Sequence, residues 1–99
     1  MRIELLYVPG CPHYLPARRC IQAALETLGI EAEVIERKVS DIEEAKAIHF
    51  PGSPTIRVNG VDVVPASDGN VGLSCRLYNG TGEVAMQTVR EAVAKALEQ

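Results

Sequence analysis

The chain has 99 residues, with ten Lys and Arg against thirteen Asp and Glu, so its formal charge is −3 and its length suits one domain over 1–99. With the basic residues scattered, that charge offers no field to a nucleic acid or an anionic membrane. No apolar run approaches the about 20 residues of a membrane span, and the opening Ile3-Glu4-Leu5-Leu6-Tyr7-Val8 is too short and polar for a secretory leader. The expected location is the cytosol. There, three cysteines are better explained by reactivity, metal binding or burial than by a disulfide framework.

In chain order, Ile3 to Val8 is an apolar run closed by Pro9-Gly10, the mark of a buried strand. From Ala17, the apolar residues Cys20, Ile21, Ala24, Leu25 and Leu28 recur at helical spacing, and Gly29 is placed to end that helix. Ile30 to Val39 reads as a second strand. Ser40 and Glu43 form a capping box, predicting a short helix that stops before Pro51.

Thr55 to Val58 and Val61 to Val64 flank Asn59-Gly60, a two-residue hairpin signal. Residues from Pro65 to Gly82 read as a long loop rich in Gly, Ser and Asn. A last helix is predicted from about Val84, with Met86, Val89, Val93 and Leu97 facing inward. The order β-α-β-α-β-β-α predicts an α/β fold with a four-stranded mixed sheet. Its first two strands are parallel through a right-handed crossover, and the hairpin adds two antiparallel ones.

Cys11-Pro12-His13-Tyr14 falls where the first strand hands over to the first helix. A thiol at a helix start faces unpaired N–H groups and the positive end of the helix dipole, and both favour the thiolate. Pro12 suits the first helical position, and a cationic His13 would favour the thiolate further.

Together with Gly52-Ser53-Pro54-Thr55 before the hairpin, this turn resembles the thioredoxin and glutaredoxin superfamily, over nearly the whole chain in element order. The resemblance implies a thioredoxin-like fold and thiol–disulfide oxidoreductase activity through Cys11, with protein thiols or glutathione-like small thiols as partners and no cofactor. It implies that Pro54 is cis and packs against the reactive cysteine. It also implies that Pro12, His13, Tyr14, Ser53 and Pro54 line the substrate site, Ser53 through its backbone. The tetrapeptide is similar to the Cys-Pro-His-Cys motif of periplasmic thiol oxidases. Tyr14 stands where those proteins carry their second cysteine, and it cannot resolve a mixed disulfide. It is expected to cover the Cys11 sulfur or to hydrogen-bond it.

Two other cysteines remain. Cys20 falls on the apolar stripe and reads as an inert core thiol. In this topology the loop after Val64 emerges at the end of the sheet that carries Cys11. Cys75, followed by Arg76, is therefore either the second catalytic thiol or a small residue pinning the loop. Paired thiolates also suit a soft metal, and Asp62 or Asp68 could then donate a proton, a combination similar to organomercurial lyases. A third possibility is a binding module that keeps the fold's groove without a redox cycle. Arg18 and Arg19 read as a solvated face or as a greeting for an anionic thiol, and His49 as a partner for helix-terminal carbonyls.

Overall fold

A computed structural model describes residues 1–64, 73 and 86–98. Three helices and one four-stranded mixed sheet follow in the predicted order. They are β1 (Arg2–Tyr7), α1 (Tyr14–Leu28), β2 (Glu33–Lys38), α2 (Ile42–Ala47), β3 (Thr55–Val58), β4 (Val61–Asp62) and α3 (Met86–Leu97). The sheet order is β2-β1-β3-β4, so the N-terminal strand lies in the interior. β1 pairs with β2 in parallel and with β3 antiparallel, and β3 pairs antiparallel with β4.

Alternation along β1 divides the core in two. Ile3 and Leu5 point to one face, where they meet Ala17, Ile21 and Ala24 of α1 and Val89 and Val93 of α3. Leu6 points to the other, into a smaller cluster with Val39, Ala45 of α2 and Phe50, against which Val8, Ile48 and Leu73 pack. Ile56 and Val58 of β3 extend the larger cluster, while Arg57 lies on the α2 face. The face with two long helices carries the larger cluster of buried apolar residues. The face with α2 carries the polar cross-strand line Glu4, Arg57 and Asp62.

Local punctuation explains the boundaries. Gly29 ends α1 in the left-handed conformation, its N–H bonded to the Glu26 carbonyl. Asn59 and Gly60, both at positive φ, make the predicted tight hairpin, with Val58 directly opposite Val61. The cap of α2 is one residue later than the capping box implies. Asp41, not Ser40, is the N-cap, and its carboxylate accepts the Glu44 N–H at 2.7 Å. An Asp with an acidic residue three positions on fits the same signal in the next frame, and a carboxylate accepts this bond more strongly than a hydroxyl.

The carbonyls at the end of α2 are held by Arg57, which donates to Ile48 O at 2.8 Å and His49 O at 3.1 Å. The role expected of His49 thus falls to a residue on β3, while His49 itself turns the chain at φ 54°. Leu97 also departs from expectation. It is 53% exposed at the last turn of α3, whereas Val89 and Val93 are fully buried. Replacing the fully buried Ile21 by Ala should therefore lower the unfolding free energy by about 2–5 kcal/mol in urea denaturation. Leu97→Ala should change it by less than about 0.5 kcal/mol.

Candidate functional site

Past the end of β1 the chain makes two successive turns that share one residue, Cys11. In the first, Cys11 N–H bonds to Val8 O at 3.1 Å across Pro9 and Gly10, and Gly10 sits at φ 79°. Proline followed by a glycine at positive φ is the signature of a type II turn, which only a residue without a Cβ fills readily. In the second, Tyr14 N–H bonds to Cys11 O at 3.3 Å across Pro12 and His13. His13, at φ −99° and ψ 3°, has the geometry of the third residue of a type I turn and serves as the N-cap of α1.

The thiol therefore sits one turn ahead of the helix, not in its first turn. Pro12 fills the second position of a turn and not the first position of the helix. Both places demand the same φ near −65°, so proline alone does not separate them. Of the first three helical residues, Tyr14 gives its N–H to Cys11 and Pro16 has none, which leaves Leu15 to offer a backbone donor toward the turn. Cys11 is a half-buried free thiol, and Pro12 beside it is exposed.

The second motif meets the first through Val8. Ser53 is almost completely buried, and its Oγ accepts the Val8 N–H at 3.0 Å, while the Val8 carbonyl accepts the Cys11 N–H. The Ser53–Pro54 peptide bond is cis. Gly52, at φ 141°, lets the chain enter this loop, and its carbonyl accepts the Thr55 hydroxyl at 2.6 Å. Two segments 42 positions apart in sequence, at Cys11 and Ser53, are thus tied to one residue just beyond β1.

Tyr14 does not turn its hydroxyl to the Cys11 sulfur. It donates instead to Glu36 Oε1 on β2, and its ring lies 4.3 Å from that of Tyr7 at a 33° tilt. The same carboxylate oxygen stands 3.8 Å from Arg18 Nε, one turn along α1. Glu36 reaches these partners because it is paired with Leu5, whose side chain shares the α1 face. In the sequence the Glu-rich segment from Glu31 to Glu44 reads as exposed surface, and nothing in the local spacing sets Glu36 apart as the partner of Tyr14 and Arg18. Arg18 is engaged there, and Arg19 is exposed.

Cys20 lies nearly two turns into α1, half-buried against the larger core, as its place on the apolar stripe predicts. Asp62 is level with Arg57 and Glu4, three residues short of Tyr7 and about 10 Å down the strand from the turn. Its Oδ1 accepts the Val64 N–H at 2.9 Å, which does not place it as an acid beside Cys11. Cys75, Arg76 and Asp68 lie outside the described residues.

Among the described residues no group of three or more His, Cys, Asp or Glu could hold a metal ion. No described helix is long and apolar enough to cross a membrane. A groove of about 430 Å³ between the hairpin and α3 is lined by Val58, Val61, Val63 and Ala92, toward the opposite end of the sheet from Cys11. No family model, curated protein or solved structure matches the chain.

The hydrogen bond to Glu36, followed by partial desolvation and the nearby carboxylate charge, pushes the Tyr14 phenol above its ordinary value of 10.0. The folded state therefore favours the neutral phenol. Its stabilising contribution is complete below the unfolded value and is lost as pH rises through the higher folded one. In a spectrophotometric titration Tyr14 should ionise above the free-phenol range, and Glu36→Ala, which removes the acceptor, should bring its midpoint back toward 10.0.

Proposed function

We propose that this chain is a thioredoxin-like thiol–disulfide exchange protein that works through Cys11. The observation that carries the reading is the shared anchorage at Val8. One backbone residue holds both the turn bearing the thiol and the buried Ser53–Pro54 loop. Exchange with a disulfide in a partner chain is helped by such a pairing, a nucleophilic sulfur and a fixed backbone segment against which that chain can lie. The sheet order and the strand directions around β1 support the same assignment.

The first step follows from thiol chemistry. The Cys11 thiolate attacks one sulfur of a disulfide R–S–S–R′, forming Cys11–S–S–R and expelling R′–S⁻, which takes a proton from water. Tyr14 supplies no second sulfur. The mixed disulfide is therefore cleared by another thiol, and there are two sources. A glutathione-like small thiol that attacks the R sulfur regenerates the Cys11 thiolate. Alternatively, Cys75 attacks the Cys11 sulfur, forming an internal disulfide and expelling R–S⁻. Cys75 follows by two residues Leu73, whose side chain packs on the Leu6, Val39, Ala45 and Phe50 cluster, and β4 runs toward the end of the sheet that bears Cys11.

Site-resolved alkylation tests the proposal. With a limiting pulse of iodoacetamide and peptide mass spectrometry, Cys11 should be modified several-fold faster than Cys20 in the folded chain, and equally fast in urea. Equal rates in the folded chain, or a slower Cys11, would leave the fold with a binding role and no thiol chemistry. Oxidation should produce a Cys11–Cys75 linkage if Cys75 is the resolving thiol, and only adducts with the added thiol if it is not.

A further inference from the structure

We propose that Glu36 is a positioning residue for the chemistry of Cys11, holding the Tyr14 hydroxyl on the β2 side so that it does not donate to the Cys11 sulfur. The inference rests on the thiol exchange proposed above and adds to it the residue that keeps the nucleophile unquenched.

The turn closed by Tyr14 N–H and Cys11 O brings the two Cα atoms within about 7 Å, the range in which their side chains can meet. A phenol carries one proton and can give it to one acceptor at a time. If that acceptor were the thiolate, the bond would stabilise the sulfur's charge, and a thiolate of lower basicity is a poorer nucleophile. In the structure the proton goes elsewhere. Three elements cooperate to send it there. β2 provides the Glu36 carboxylate, α1 provides Arg18 with its Nε at 3.8 Å from the accepting oxygen, and β1 provides the Tyr7 ring against which Tyr14 rests. A hydrogen bond to a carboxylate is of the stronger, charge-assisted kind, so the residue at position 36 determines whether the thiolate has a competitor for the phenol proton. The raised pKa of Tyr14 keeps this donor protonated through the alkaline range in which thiols exchange.

The test is the rate at which the full chain forms a Cys11 mixed disulfide with a small symmetrical disulfide, oxidised glutathione, quenched in acid and read at the Cys11 peptide on the alkaline plateau of the rate. Glu36→Ala should slow that reaction several-fold, because the released phenol turns to the thiolate. Glu36→Gln, whose amide oxygen still accepts the phenol proton, should restore most of the rate.

The decisive comparison is made with Tyr14→Phe as background. With no hydroxyl at position 14, the rate should be the same whether Glu or Ala occupies position 36. A fold damaged by the loss of Glu36 would not be repaired by removing one more oxygen, so this pair separates positioning from stability. An unchanged rate in Glu36→Ala, or a Glu36→Ala defect that persists in the Tyr14→Phe background, would overturn the inference while leaving exchange at Cys11 standing. A Cys11 inert to the disulfide in the unaltered chain would overturn both.

Discussion

The site depends on how the chain leaves its central strand. Tyr7 is the last residue of β1 in the ladder, and its carbonyl is taken by Val39 N–H at 2.7 Å. Val8, the next residue, has neither neighbouring strand to bond with, yet its polar groups are partly enclosed. A part-buried N–H left without an acceptor would cost about 1–3 kcal/mol. The chain satisfies it with the Ser53 hydroxyl and satisfies the carbonyl with Cys11 N–H. The need to complete the backbone bonding of one residue thus draws together two short motifs that are far apart in sequence.

The surroundings make that junction rigid in different ways. On one side, Leu6, Val39 and Phe50 are buried with Ala45 of α2, and Arg57 fastens the end of α2 to β3, so the segment leading into Gly52 and Ser53 is held at its start. The Thr55 bond to Gly52 holds it at its end. On the other side, α1 is fixed by Ala17, Ile21 and Ala24 against the sheet, which sets where Tyr14 and Arg18 stand relative to Glu36. Each contact is modest, and the exposed Arg18–Glu36 pair alone would be worth about 0–1 kcal/mol. Their effect is on direction: together they turn the Tyr14 hydroxyl toward Glu36.

Features with a local cause were readable in the sequence. The Asn59-Gly60 hairpin, the left-handed Gly29 and the inward stripe of α1 each follow from a few neighbouring residues, and the structure has them. Where two local solutions share one signal, the sequence misled. Pro12 satisfies a helix start and a turn equally, and Ser40 and Asp41 both sit three residues before a glutamate. In each case the choice rests on backbone bonds, Tyr14 to Cys11 and Glu44 to Asp41, that no spacing encodes. Glu36 was illegible for a deeper reason. Its contacts come from the register of β2 on β1 together with the docking of α1, two long-range facts that meet at one carboxylate.

Chemically, the arrangement is a single described thiol at a fixed turn, with a tyrosine where a resolving sulfur would be reachable and that tyrosine's proton committed elsewhere. The most direct measurement is intact-mass and peptide analysis of the full chain after exposure to excess oxidised glutathione under native conditions. A glutathione adduct at Cys11 should appear before any at Cys20, be absent from Cys11→Ser, and be reversed by added reduced thiol. A chain that gains no adduct at Cys11 while remaining folded, or gains its first adduct at Cys20, would contradict thiol exchange through Cys11.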